Sequence, residues 1–171
     1  MRLNSITHRR LSLLVVLLSW GGVGVALFTQ HVLDMQPCPW CIAQRLLYIL
    51  VGGLALLAAA LPPGRSTAGR MPVLGVLGLQ GVALLGALGI ALYQHFVAAA
   101  DGACMVTAAD RFLMSTGLSD WLPEVLEPRA NCAEANLDLL GVPYSLWSAM
   151  LAVLLLVVTV LAMRARPAQK T

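Results

Sequence analysis

Two cysteines separated by a Pro-Trp pair, Cys38-Pro39-Trp40-Cys41, stand at the mouth of a long apolar run, and Arg45 follows four positions after the second. A Cys-x-x-Cys pair can close a small, reactive disulfide or ligate a metal. The unpaired N–H groups and macrodipole of a helix's first turn also stabilise a thiolate placed there. If the chain is helical from about Trp40 onward, Arg45 shares a face with Cys41 and sets a fixed cation beside that thiolate at a membrane surface. Such an arginine can also snorkel to the interface; its spacing from the cysteine favours the functional reading. Two further cysteines, Cys104 and Cys132, stand 28 positions apart and far downstream.

The elements that must hold these groups are apolar. Of 171 residues, 59% are hydrophobic and 11% charged, with mean hydropathy +0.82, far from the soluble average. The expected fold is an all-α integral membrane protein, a four-transmembrane-helix bundle forming a single membrane domain over 1–171. Its spans fall at about 11–29, 42–61, 72–93 and 144–163, each long enough to cross once. Exterior loops follow at about 30–41 and 96–142. Net charge of +3 says little, but eight of the eleven lysines and arginines (Arg2, Arg9, Arg10, Arg65, Arg70, Arg164, Arg166 and Lys170) fall on one side. All eight acidic residues lie in the two opposite loops. The positive-inside bias makes the basic side cytoplasmic, with both termini there. Arg9-Arg10 before an apolar run, with Gly24-Val25-Ala26 as a small-x-small site, also fits a secretory signal. The run is long for that, and its removal would leave the Cys-x-x-Cys pair on a free tail, so a retained first span is expected.

All four cysteines fall opposite the basic loops, where thiols meet an oxidising environment. Three pairings are open, of which the local one, 38 with 41 and 104 with 132, is simplest. Two structural disulfides would be the bland outcome, and for the wide pair alone the better one. A bridge across two intervening residues restrains the unfolded chain little, which argues for a redox role for Cys38 and Cys41. Structural zinc sites usually repeat the close spacing, unlike Cys104 and Cys132, so no metal is expected.

Along the chain, Trp20 and the cluster Gly21, Gly22, Gly24 lie in the first span, and Pro62-Pro63-Gly64 ends the second. Gly75, Gly78, Gly81, Gly86 and Gly89, with Ala83, Ala87 and Ala91, give the third span small surfaces for close packing. In the second exterior loop Leu118, Trp121, Leu122 and Val125 follow helical spacing, with Ser119 or Asp120 near the start and Pro123 in the first turn. This predicts a short interfacial helix. Tyr144 and Trp147 read as interfacial anchors. His95, the one titratable group of the third apolar run, is either a wetted exterior residue or a contact to a cofactor or proton path.

Two cysteine pairs on the exterior face suggest electrons passing by thiol–disulfide exchange from a soluble partner toward the bilayer. The sequence carries no haem or iron–sulfur motif. A lipid quinone is then the candidate acceptor, with Arg45 suited to its ring oxygen. The combination of four spans, Cys38-x-x-Cys41-x-x-x-Arg45 opening the second, and Cys104 and Cys132 in the long loop resembles the DsbB family of disulfide-bond formation proteins. Gln94-His95, Trp121-Leu122-Pro123, Cys132-Ala133-Glu134 and Leu140-Gly141 extend the resemblance along nearly the whole chain. Pro39-Trp40 differs from the best-studied members, which leaves the redox poise open.

The resemblance implies a multi-pass protein of the bacterial inner membrane with periplasmic cysteine loops. A reduced DsbA-like periplasmic thioredoxin-fold oxidase would attack the Cys104–Cys132 disulfide, with Cys104 in the mixed disulfide, and electrons would move on to Cys38 and Cys41. Cys41, beside Arg45, would engage a quinone from the membrane pool, ubiquinone or menaquinone; His95 would be a further contact only on the cofactor reading of that residue, the less favoured of its two. Quinol would then leave; the implied partners include the lipid bilayer but no nucleic acid. Rival readings are a vitamin K epoxide reductase-like oxidoreductase, where the catalytic Cys-x-x-Cys is expected late in the bundle, and a non-catalytic membrane scaffold with structural disulfides. A transporter is disfavoured by spans without buried charge pairs.

Overall fold

The computed structural model describes residues 3–61, 67–99, 108–117, 122–135 and 137–165. The chain runs from α1 (Leu3–Val32) through α2 (Pro39–Ala60) to α3 (Thr67–Tyr93), which continues as a π-helical stretch, Gln94–Ala98. The long loop carries α4 (Ala108–Thr116), α5 (Pro123–Leu126), α6 (Cys132–Ala135) and a two-residue hairpin of β1 (Asp138–Leu139) and β2 (Val142–Pro143). It leads into α7 (Tyr144–Arg164). Four segments, Thr7–Val32, Pro39–Ala60, Arg70–Ala98 and Tyr144–Arg164, are long and apolar enough to cross a membrane. The 22 residues of α2 rise about 33 Å, close to the thickness of a hydrocarbon core.

The start of α2 is written in the cysteine motif itself. Cys38 is the extended N-cap residue and its Sγ accepts from Cys41 N, the place usually taken by a serine or aspartate oxygen. Pro39 in the first turn has no N–H to leave unpaired. Pro62-Pro63-Gly64, expected to end α2, lies outside the described residues; the helix closes at Leu61, whose backbone is extended.

The four long helices form a ring in the order α1, α2, α3, α7, each packed on its two neighbours. Val15, Tyr48, Val51, Ala55, Leu84, Ala87, Ala152 and Leu155 fill the centre. Leu17, Leu79, Leu85 and Val157 stand exposed on the outer flanks, the surface a bilayer covers. Between α3 and α7 the buried Gln80 Nε2 donates to Thr159 Oγ1 at 2.6 Å, pairing two polar groups that lipid could not satisfy.

Close packing falls on other glycines than the third span suggests. A Cβ at Gly75, Gly78, Gly81 or Gly89 would meet open space, whereas Ala83, Ala87 and Ala91 are buried. These alanines lie on the face turned to the bundle and the glycines do not. The tight approaches are Gly52, where a Cβ would stand 2.0 Å from the Trp20 indole nitrogen, and Gly22, 2.6 Å from Leu151. Gly52→Val is expected to expel Trp20 from its seat, where it donates to Ile49 O, and to cost about 1–3 kcal/mol. Gly78→Ala is expected to change stability little. Thermal unfolding of both variants in detergent checks the contrast.

The long loop folds back over the ring. Leu113 and Leu126 pack on Ile42 of α2. The backbone N–H groups of Arg129 and Ala130 both donate to Pro37 O, at 2.9 and 3.2 Å. Gln30 Nε2 donates to Glu124 O at 3.2 Å, and His31 pairs with the Glu124 carboxylate at 3.1 Å. That hydrogen bond, then the nearby Arg129 guanidinium, holds the Glu124 carboxyl below the usual carboxylate range. α5 begins at Pro123, within the expected interfacial stretch, and Leu118 to Trp121 lie outside the described residues. α4 is an additional helix, with Ala109 and Leu113 buried and Phe112 and Met114 exposed. The hairpin turns at Leu140 and Gly141, both at positive φ, 57° and 79°, the backbone a two-residue turn of this hand requires.

Candidate redox site and the cavity beside it

Asn131 builds the seat of Cys132. Its Oδ1 accepts from Glu134 N at 2.9 Å while Glu134 Oε2 reaches back to Asn131 N, a reciprocal cap that opens α6 with Cys132 as its first residue. Because Pro37 O anchors Arg129 and Ala130, this turn comes to rest on the N-terminus of α2. Cys38, Cys132 and Ala135 form one buried cluster, with Trp40, Cys41, Ala98 and Ala130 around it.

Three sulfurs therefore meet. Cys38 Sγ lies 2.9 Å from Cys41 Sγ and packs with Cys132 in the same buried cluster. Its bonds to Cys132 and Cys41, and then burial, push the Cys38 thiol up. The same contact with Cys38 draws Cys132 below the ordinary thiol range. In the fully reduced protein, Cys132 should therefore ionise at lower pH than Cys38 and alkylate first as pH rises. Peptide-resolved alkylation against pH measures the order. Cys104 lies outside the described residues.

A cavity of about 400 Å³ opens beside the trio between α1, α2 and α7. Cys41, Gln44, Arg45 and Tyr48 line it from α2, Ala26 and Thr29 from α1, Gln94 from the π-helical stretch, and Tyr144 and Ser148 from α7. Positions 41, 44, 45 and 48 fall on one helical face, which brings the α2 groups together. Cys41 is thus the motif sulfur that faces the cavity, while Cys38, wholly buried, faces Cys132.

Arg45 shares this cavity with Cys41, as their spacing requires, but its hydrogen bonds run elsewhere. Nη1 donates to Gln30 Oε1 at 3.0 Å and to Val125 O, and Nε is buried without a partner. The long side chain thus ties a side-chain amide of α1 to one carbonyl of the covering loop. Gln94 Nε2 donates to Cys41 Sγ at 3.2 Å. The polar stripe Gln44, Arg45, Tyr48 in an otherwise apolar run is the sequence signal for Gln44 and Tyr48; Gln94 has none beyond its place before His95. His95 does not line the cavity. Its Nδ1 bonds Ser145 Oγ at 3.1 Å, and Ser145 is a lining residue. Tyr144, expected as an interfacial anchor, is a cavity wall whose hydroxyl lies 3.3 Å from Thr29 Oγ1. Trp147 remains partly exposed, with Nε1 donating to Leu139 O at 3.0 Å.

Comparison with known proteins agrees with this arrangement of helices. The family model described as Disulfide bond formation protein DsbB matches residues 8–162. A Disulfide bond formation protein B from Ralstonia nicotianae is 33% identical over 156 residues, covering 91% of this chain and 93% of the relative. Its counterpart in Chromobacterium violaceum is 38% identical over 149 residues, covering 85% and 87%, respectively. One from Acinetobacter baumannii is 31% identical over 157 residues, covering 90% and 89%. With four membrane-crossing helices and a match over almost its whole length, the chain belongs to the DsbB family, as a multi-pass bacterial membrane oxidoreductase of disulfide bond formation.

Proposed function

We propose that the protein is an inner-membrane thiol oxidase. It would take electrons from a DsbA-like periplasmic thioredoxin-fold partner, through Cys104–Cys132 and Cys38–Cys41, and deliver them to a membrane quinone, ubiquinone or menaquinone. The basic ends and middle loop face the cytoplasm and the cysteine loops the periplasm, on the charge asymmetry. The observation that carries the reading is the order of the sulfurs: Cys38 sits between Cys132 and Cys41, and Cys41 alone of the three lines the cavity.

The exchange steps follow from that order. Attack by the partner's thiolate on Cys104 of the Cys104–Cys132 disulfide releases Cys132 as a thiolate. Cys132 attacks Cys38 Sγ, the Cys38–Cys41 bond breaks, and Cys41 leaves as a thiolate at the N-terminus of α2. When the partner's second thiolate displaces Cys104, Cys104 re-forms its bond to Cys132, and Cys38 is freed beside Cys41 as a dithiol. The two protons released by the partner's thiols are taken up by Cys38 and Cys41 as the dithiol forms.

The cavity fits a quinone ring on two counts. Its walls are mainly apolar side chains of α1 and α7, and the buried, unpartnered Arg45 Nε supplies a donor suited to a ring oxygen. A bound quinone supplies the two-electron, two-proton acceptor that the dithiol needs. Cys41 and Arg45 would hold it, with Thr29 and Tyr144 closing the α1 and α7 sides. His95 would act only through Ser145. Purified protein, mixed anaerobically with a reduced thioredoxin-fold partner and a quinone, is expected to yield one quinol per partner disulfide. Partner oxidation at the same rate without quinone would refute the reading.

A further inference from the structure

Cys41 is also held by a chain of neutral amides. Gln94, 1% exposed, opens the π-helical stretch, where Ala99 N bonds back to Gln94 O at 2.9 Å. Its Nε2 donates to Cys41 Sγ at 3.2 Å and its Oε1 accepts from Gln44 Nε2 at 2.7 Å. Gln44 Oε1 in turn accepts from Ser148 Oγ, which lies 3.0 Å from the Tyr48 hydroxyl. Three helices thus contribute to one line of hydrogen bonds that ends on the sulfur.

The direction of that line matters. A primary amide offers either face to a neighbour: with NH2 toward sulfur it donates and favours the ionised form, and with oxygen toward sulfur it accepts from S–H and favours the thiol. Gln44, by donating to Gln94 Oε1, leaves Gln94 only its NH2 for the sulfur. Ser148, by donating to Gln44 Oε1, fixes Gln44 in the same sense. Arg45, meanwhile, directs Nη1 to Gln30 and Val125.

We propose that Gln94 is a further catalytic residue, donating to Cys41 Sγ so that this sulfur carries the charge toward the cavity, and that Gln44 is its positioning residue. The proposal rests on Cys41 being the sulfur that leaves as thiolate, but its test requires neither quinone nor partner. The test is peptide-resolved alkylation of Cys41 against pH in the reduced full-length protein. The midpoint is expected to rise by about one pH unit in Gln94→Leu, about tenfold in rate at pH values below the midpoint, and further in Gln94→Glu, whose carboxylate only accepts. Gln44→Glu, unable to donate to Gln94 Oε1, is expected to move it the same way by a smaller step. A packing role alone would leave the midpoint in place. If Gln94→Leu fails to fold, the isosteric Gln94→Glu decides. An unmoved midpoint in a Gln94 variant that melts like the parent overturns the role of Gln94, and an unmoved midpoint in Gln44→Glu overturns that of Gln44. Shifted midpoints without quinol formation in the parent would overturn the proposed function and leave the amide chain standing.

Discussion

Cys41→Ser is expected to reduce quinol formation to background, a loss of at least about a thousandfold. A serine hydroxyl neither ionises near neutral pH nor forms a disulfide, and Cys41 is the sulfur of the trio that lines the cavity. The variant should still exchange upstream. With Cys38 left as a lone thiol, the Cys104–Cys132 disulfide should oxidise one equivalent of partner and then persist as a dithiol instead of turning over. Peptide mapping without reductant would show it. Cys132→Ser gives the mirror result: no oxidation of the partner, but quinol formation from a small dithiol that reduces Cys38–Cys41 directly. Full activity in Cys41→Ser would remove the route proposed for the electrons.

Arg45→Ala is expected to lower quinone reduction by about a hundredfold, the scale of deleting one preorganised donor at a developing negative charge. Disulfide formation among the cysteines should survive. Because Nη1 also braces Gln30 Oε1 and Val125 O, the alanine variant loosens the covering loop as well, and two controls separate the effects. Arg45→Lys keeps the charge but cannot fill the Nε and Nη1 positions together, so it should recover about tenfold and no more. Gln30→Leu removes the α1 half of the brace while leaving Nε free, and should change quinone half-saturation far less than Arg45→Ala. Unchanged quinone dependence in Arg45→Ala would refute the assigned role.

Charge-free stretches of the right length reveal the four helices, and Cys38 and Pro39 mark the start of α2 because cap and first turn have residue-type requirements of their own. α1 extends to Val32, beyond the charge-free run, since Gln30 and His31 find partners on Glu124 that only the folded loop supplies. The third span's glycines mislead because a small residue does not disclose which face it occupies; the notch used in packing is Gly52 against Trp20. At the site, the Cys41–Arg45 spacing is local and therefore legible. The contact of Cys132 with Cys38 depends on Pro37 O capturing Arg129 and Ala130 from a distant loop, and the bond from Gln94 to Cys41 on the packing of α3 against α2. Neither leaves a periodic trace.

The central claim is that Cys38 and Cys41 deliver two electrons to a quinone held beside Cys41. The most direct measurement is an anaerobic single turnover: the Cys104→Ser, Cys132→Ser protein, reduced and freed of reductant, mixed with one equivalent of quinone. The account predicts one quinol formed for every two thiols lost, with the Cys38–Cys41 disulfide as the sole protein product. Quinone left unreduced, or reduced with both thiols intact, would contradict it.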